Sequence, residues 1–313
     1  YVMFLLTTRN KIIFPIFLIL LFYTIFIMYS NVEKITNTYQ QIELFYLIPI
    51  FGLLPFTIFI RSQIQSILLN ALGITLTLKQ NYILFLTGLS MSMTPVGFGQ
   101  MIKSHFLEQK HGYSISKSLP LVFVERLLDF IAIVLILWAS LFFHFSTTFF
   151  TIVIISTMLV FGLFLIIKNN VVRNKIQSII DKNSFLSKKF PNFKEFDISL
   201  KKISNFKILF KTSLITLFVT FLEGFIIYFG FLAFRVDLEY FESIQLFYTS
   251  ILIGIFSFLP GGVGVTEGSF VILMVKQNFE FVLATSLILF LRLITIWFVS
   301  LIGFIATFFI TRK

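Results

Sequence analysis

Apolar runs of about 20 residues, separated by polar or charged stretches, recur along the whole chain. Six of these runs are uninterrupted, and they cover residues 12–30, 44–60, 119–143, 147–167, 212–234 and 282–310. A helix of roughly 20 apolar residues is long enough to cross a hydrocarbon layer about 30 Å thick. The pattern therefore predicts an all-α, polytopic membrane protein with about six transmembrane helices.

Two further apolar runs, 82–101 and 244–275, are interrupted by proline and glycine. The first contains TPVGFGQ at 94–100 and the second contains LPGGVGV at 259–265, and in both a glycine follows the proline by two residues and by four. Backbone groups released by such a break cannot face lipid, so they must pack in protein or line a polar cavity. Each interrupted run is therefore predicted to be a re-entrant broken helix.

The two interrupted runs share a spacing to an arginine within the next span. Pro95 precedes Arg126 by 31 residues and Pro260 precedes Arg292 by 32. Because three crossings separate the copies, they are predicted to enter from opposite faces as inverted repeats, an architecture typical of transporters. We expect one transmembrane domain over 1–313, whose repeat cores cover 82–143 and 244–311 on either side of a cytoplasmic linker at 168–211.

Lysine and arginine residues indicate the orientation, because they accumulate on the cytoplasmic side. With both termini cytoplasmic and both interrupted runs re-entrant, 20 basic residues lie inside and three lie outside. Making either interrupted run a full crossing would invert everything that follows it and remove this asymmetry. The predicted location is therefore the cell membrane, in a multi-pass arrangement.

Composition narrows the chemistry. The chain is 58% hydrophobic and 12% charged, with three histidines and no cysteine, and its mean hydropathy is +0.97. These values exclude a soluble domain, disulfides and thiolate metal sites. No metal and no cofactor is expected. The net charge of +11 is dispersed among apolar spans, which indicates membrane topology rather than nucleic-acid binding.

The glycine turns are candidate anion sites. A half-helix that begins after such a turn directs free N–H groups and a partial positive charge toward the turn. We therefore predict that backbone amides at Gly97, Gly99, Gly262 and Gly264 bind an anion such as phosphate.

Ionisable residues within apolar spans are the other candidates, because burying them in hydrocarbon is costly. Three cations are predicted to bind the substrate, and four acids are predicted to pair with them or to carry a coupling proton: Lys103, Arg126 and Arg292, with Glu125, Asp129, Glu223 and Glu267. Arg292 lies deep in its span and needs a partner, for which Glu267 and Glu223 are the candidates. The alternatives are that Glu125 to Asp129 snorkel to the interface and that Lys103 only sets topology.

The chain resembles the membrane-domain family of lysylphosphatidylglycerol synthetases. The residues that carry the resemblance are the Glu125-Arg126 pair with Asp129, FLEGFIIYF around Glu223, and PGGVG followed by Glu267. The resemblance implies a stand-alone, flippase-like protein without an aminoacyl-transferase domain, with lipid-linked glycosylation or lipid-synthesis enzymes as partners. The first turn departs from the family pattern, since Gln100 stands where an acid is common.

Together these features predict a lipid flippase or scramblase with no catalytic residue, either monomeric or homo-oligomeric. It would move a phosphate-bearing headgroup between leaflets, with a polyprenyl-phosphate sugar as first choice and a phosphatidylglycerol-type lipid as second. One alternative is a lipid-modifying membrane enzyme that uses an acid with His105 or His111. The other is an ion channel, because TPVGFG is similar to the TVGYG potassium filter, although Pro95 interrupts the match.

Overall fold

The computed structural model describes residues 32–92, 94, 99–169, 171–172, 175, 178 and 192–311. The predicted first span (12–30), Gly97 and much of the predicted linker lie outside the described residues. Within the described part, the chain contains helices and no strand, which confirms the all-α class.

The helices are numbered in chain order. They are α1 (Val32–Gln40), α2 (Leu47–Ala71), α3 (Leu78–Leu89), α4 (Ile102–His111), α5 (Ile115–Ser118), α6 (Pro120–Phe143), α7 (Thr147–Lys168), α8 (Phe193–Ile203), α9 (Phe206–Ala233), α10 (Tyr240–Phe256), α11 (Val265–Lys276), α12 (Phe281–Arg292) and α13 (Val299–Thr311). Short 3₁₀ turns cover Leu44–Tyr46 and Pro260–Gly262, and a π-helical segment, Leu293–Phe298, joins α12 to α13.

Four helical stretches in the described residues are long and apolar enough to cross a membrane. They cover Leu44–Ala71, Thr147–Ile166, Phe206–Ala233 and Phe281–Phe308. Helix α6 has 24 residues and coincides with the predicted third span, but it carries three charged side chains. The chain is therefore a multi-pass membrane protein, as its apolar pattern predicts.

Helix α2 extends well beyond the predicted span. The apolar run ends at Ile60, yet the helix continues through Arg61 to Ala71. The extension is stable because its inward face is apolar: Leu68, Leu69 and the following Ile74 are buried with residues of α3, α4 and α6 in one cluster. Arg61 therefore lies in the middle of a long helix rather than at its end.

The second interrupted run forms two short helices that pack against each other, whereas the first contributes one short helix and a turn, and the helix that follows the run packs back on it. The first hairpin consists of α3 and α4 and the second consists of α10 and α11. The longest of these four helices, α10, has 17 residues, which corresponds to roughly 25 Å. The other three have 10 to 12 residues, too few for a single crossing, and α10 lies at the lower limit of about 17 residues for one.

The break in the second hairpin has a local cause. Pro260 has no backbone N–H and cannot continue a helix, and positive φ angles follow at Gly261, Gly262 and Gly264, where only glycine is free of strain. Gly254 permits the close approach of α10 to the turn, because a Cβ atom there would overlap Thr266 Oγ1. The sequence PGGVG is therefore required by the geometry of this turn.

Helices from the first and the second part of the chain also contact each other directly. Helix α9 packs along α2 and α6, and α13 packs on α3. The second of these contacts is close, since a Cβ atom at Gly303 would meet the backbone of Leu89 and Ser90. These contacts hold both hairpins around a common interior.

Candidate functional site

A cavity of about 340 Å³ lies between α2, α3, α6, α9, α10 and α12. Most of its wall is apolar and comes from aliphatic side chains of these helices. Six acidic or basic side chains also line it: Arg61, Glu125, Arg126, Asp129, Glu223 and Arg292. Five of the six are residues that the sequence singles out, so the fold does bring the predicted charges of both repeats to one place.

The second hairpin places a fully buried ion pair beside the cavity. Arg292 Nε donates to Glu267 Oε1 at 2.7 Å, and the two side chains are 2% and 0% exposed. Arg292 Nη2 donates to the carbonyl of Gly261, and the other oxygen of Glu267 accepts from the N–H of Gly264 at 2.7 Å. Of the two partners predicted for Arg292, Glu267 is correct and Glu223 is not. The pair joins α12 to the glycine turn and to the start of α11.

The first hairpin contains a second buried ion pair. Lys103 Nζ lies 2.5 Å from Glu125 Oε2, with the side chains 0% and 8% exposed. The lysine stem runs past Gly88, where a Cβ atom would overlap it. Lys103 was expected either to meet phosphate or to set topology. Instead it is buried and paired, because its stem fits between α3 and α4 and its ammonium needs a counter-charge.

Arg61 connects three helices across the cavity and was missed by the sequence analysis. Its Nε and Nη2 atoms donate to the two oxygens of Glu223 at 2.5 and 2.6 Å, and its Nη1 donates to Asp129 Oδ1 at 2.6 Å. Asp129 Oδ2 in turn lies 3.0 Å from Arg126 Nη2, as the i,i+3 spacing predicts. The signal that could have identified Arg61 is Glu223 itself, since a carboxylate in mid-span requires a cation from another helix.

The glycine amides have a different role from the one predicted for them. The N–H of Gly99 donates to Thr94 Oγ1 at 2.5 Å, that of Gly262 to the carbonyl of Leu259 at 2.9 Å, and that of Gly264 to Glu267. These three amides are therefore engaged within the protein and are not open to an anion in this conformation. The turn instead presents a carbonyl, that of Gly261, to Arg292.

The charged groups balance. Four cations are matched by four carboxylates: Lys103, Arg61, Arg126 and Arg292, with Glu125, Asp129, Glu223 and Glu267. The predicted anion-attracting path is therefore a neutral network of ion pairs. Such balance is expected in a hydrocarbon environment, where an unmatched charge is costly.

Two atoms on neighbouring residues remain without a hydrogen bond. Within the described residues, Glu125 Oε1 and Arg126 Nε are buried and have no partner. Arg126 is held by Asp129 and by a long contact of 3.4 Å from Nη2 to Gln100 Oε1. Both residues line the cavity, but these two atoms are themselves buried beneath its wall.

The sequence also matches a known family over nearly its whole length. The model for the lysylphosphatidylglycerol synthase TM region matches residues 12–303. The chain belongs to this family. A UPF0104 membrane protein from Methanocaldococcus jannaschii is 27% identical over an alignment of 237 residues, which covers 71% of this chain and 94% of that relative. No solved structure matches the chain.

The match to the lysylphosphatidylglycerol synthase TM region encloses the entire charged network. All eight ionisable residues, from Arg61 to Arg292, fall within residues 12–303. The network therefore belongs to the part of the chain that defines the family, and the family description relates the protein to membrane lipids.

Proposed function

We propose that this protein is a lipid flippase or scramblase, in which a phosphate-bearing headgroup crosses the membrane through the charged cavity while its acyl or prenyl tails stay in lipid. The observation that carries the proposal is the cavity itself, where six acidic or basic side chains are held between apolar helices. Ionisable groups at such positions are costly and typically mark the path of a polar substrate.

The cavity could replace the water that a headgroup loses on leaving the interface. Arg126 lines the cavity and its side chain is 25% exposed, and a phosphate oxygen that accepts from the exposed part of its guanidinium would recover part of its hydration energy. The neutral balance of the remaining ion pairs means that the headgroup need not displace a trapped counter-charge.

The two hairpins supply a reason for access from both sides. Three of their four helices are too short to cross the bilayer singly, which supports the proposal that both hairpins are re-entrant and related as inverted repeats. Rocking of one repeat core (82–143) against the other (244–311) would then open the cavity alternately to either leaflet. Arg61 would tie the first core to the helices beside it, because it joins α6 of that core to α2 and α9.

The proposed cargo is a polyprenyl-phosphate sugar, with a phosphatidylglycerol-type lipid as second choice. Both combine a phosphate with hydroxyl groups, and the charged side chains of the cavity can form hydrogen bonds with these groups. The proposal includes a location in the cell membrane with cytoplasmic termini, and enzymes of lipid-linked glycosylation or lipid synthesis as partners. We propose transport rather than catalysis, since neither His105 nor His111 lines the cavity.

The test is reconstitution of the purified protein into vesicles with tail-labelled lipids. Wild type should expose inner-leaflet lipid to an external quencher, whereas protein-free vesicles should not. R126Q should slow movement about tenfold or more, because it removes a charge-assisted hydrogen bond of ~1.5–3 kcal/mol to the phosphate. R235Q is the matched control, since Arg235 forms an exposed ion pair with Glu43 away from the cavity.

Each other result has a distinct meaning. Equal rates for wild type and R126Q would remove the cavity from the mechanism, and no movement of any lipid would overturn the proposal. A new lipid species in the mass spectrum of the vesicles would support the enzyme. Ion-selective current without lipid movement would support the channel.

A further inference from the structure

The members of the charged network differ in how far their side chains are exposed. Two pairs are almost wholly buried, with side chains no more than 8% exposed: Lys103 with Glu125, and Arg292 with Glu267. The other four side chains are 18–26% exposed and line the cavity: Arg61, Arg126, Asp129 and Glu223. A molecule in the cavity therefore has its best access to the network at these four residues.

Arg61 holds its two carboxylates in different ways. Its Nε and Nη2 atoms donate to both oxygens of Glu223, in the parallel arrangement by which a guanidinium binds a carboxylate most strongly. Only Nη1 of Arg61 reaches Asp129, whose second oxygen is paired with Arg126. Asp129 is thus held by one contact from each of two arginines, and it is the more easily replaced of the two carboxylates.

The contacts of Asp129 show that one anion can bridge the two arginines. Its Oδ1 lies 2.6 Å from Arg61 Nη1, and its Oδ2 lies 3.0 Å from Arg126 Nη2. Guanidinium groups bind pairs of phosphate oxygens with the same geometry as pairs of carboxylate oxygens, and both arginines stay charged in a protein. The adjoining cavity of about 340 Å³ falls in the size range of small-molecule sites. The position of the Asp129 carboxylate is therefore suited to a phosphate whose remaining atoms lie in the cavity.

We infer that Arg61 and Arg126 together form a phosphate subsite, and that Asp129 occupies it as an internal competitor when no phosphate is bound. The inference rests on the proposed function and specifies how its substrate is held and released. No ion has to leave the cavity, because the group that the phosphate replaces belongs to the protein. The displaced carboxylate loses both arginines, and the cost of this loss weakens the binding of the phosphate. Asp129 thereby promotes release.

Anion rescue of D129A tests the subsite on the purified protein in detergent. The substitution leaves the two arginines without the anion between them, so it should lower the unfolding temperature. Inorganic phosphate should restore this temperature in a saturable way, and so should glycerophosphoglycerol, a soluble phosphodiester headgroup. Sodium chloride at equal ionic strength should not. The double variant D129A/R126Q should show no such anion dependence, because it lacks one side of the subsite. If D129A does not fold, D129N should show the same dependence.

The affinity of folded D129N tests the competition. In titration calorimetry, D129N should bind inorganic phosphate and glycerophosphoglycerol at least about tenfold more tightly than wild type, as the removal of a charged competitor predicts. E223Q is the matched control, because it removes the same charge from the cavity but leaves Asp129 between the two arginines. Its gain in affinity should be smaller than that of D129N.

Several results would overturn the inference. They are an unfolding temperature of D129A and D129N that does not respond to phosphate, a response that survives R126Q, and equal affinities of D129N and E223Q, which would indicate net charge rather than position. A response to inorganic phosphate without one to glycerophosphoglycerol would contradict the assignment of the subsite to a headgroup and indicate free phosphate instead. Lipid movement in vesicles is measured separately: a protein that binds both anions but moves no lipid would overturn the proposed function and leave the subsite in place.

Discussion

Each hairpin contributes to a buried ion pair, and the positions of the positive and the negative charge are exchanged between the two pairs. In the second hairpin, a carboxylate one turn into the helix after the break, Glu267, pairs with a cation in the next span, Arg292. In the first, the cation Lys103 occupies the position after the break and the carboxylate Glu125 lies in the next span. The Coulomb energy of a pair is the same when its charges are exchanged, so each half requires a matched pair rather than a particular sign.

The pairs differ in how completely they are bonded. Arg292 and Glu267 also bind the glycine turn through Gly261 and Gly264. Glu125 lines the cavity and one of its oxygens has no hydrogen bond. We therefore interpret the second pair as a structural clamp and the first as the less completely bonded pair.

The strongest test of this contrast is R292A. The substitution leaves Glu267 charged and buried without its partner, which should cost about 3–5 kcal/mol of stability. We expect poor yield and a lower unfolding temperature in detergent, measured by fluorescence-detected thermal melting. The control variant R235A, which removes an exposed ion pair away from the cavity, should change stability by less than about 1 kcal/mol. An R292A protein as stable as wild type would show that the pair is not a clamp.

An exchange of charges in the first hairpin tests the symmetry directly. K103E and E125K should each be destabilised by about 3–5 kcal/mol, because each removes the opposite charge and places two like charges together in a buried site. The double variant K103E/E125K, which has the polarity of the second hairpin, should recover about 2 kcal/mol or more in a double-mutant cycle on thermal unfolding. If the stability losses of the two single variants simply add in the double variant, the sign of each charge matters for a reason other than the pairing of the two residues.

Alanine substitutions at one glycine of each hairpin should have smaller effects on stability, and the two effects should differ. A Cβ atom at Gly254 would meet Thr266 and come near the backbone of Gly262, which have little freedom to move, whereas at Gly88 it would meet only the flexible stem of Lys103. Overpacking typically costs about 1–3 kcal/mol, so G254A should lie within that range and G88A below it. Thermal melting of both variants is the measurement, and a reversed order would contradict the comparison.

Much of the fold could be predicted from the sequence because its signals are local. Apolar runs place the spans, proline and glycine place the break between α10 and α11, and an i,i+3 spacing predicts the contact of Arg126 with Asp129. The pairing of Arg292 with Glu267 was also among the predicted alternatives, since a deeply buried arginine needs an acid nearby.

The missed features depend on contacts between distant parts of the chain. Arg61 was assigned to the cytoplasmic side because the apolar run ends at Ile60, and its partner Glu223 lies 162 residues later. Lys103 was counted among the cytoplasmic lysines, but the gap beside Gly88 buries it. Neither contact has a signal in local hydropathy.

The sequence by itself determined that the chain is a membrane protein, where most of its helices lie and which ionisable residues must be explained. These properties follow from the cost of exposing polar backbone or charge to hydrocarbon, which depends on the local residues alone. Tertiary structure alone decided how the charges pair, that the network is neutral and which of its atoms have no hydrogen bond. Those properties depend on distances of a few ångströms between helices far apart in the chain, and packing sets them.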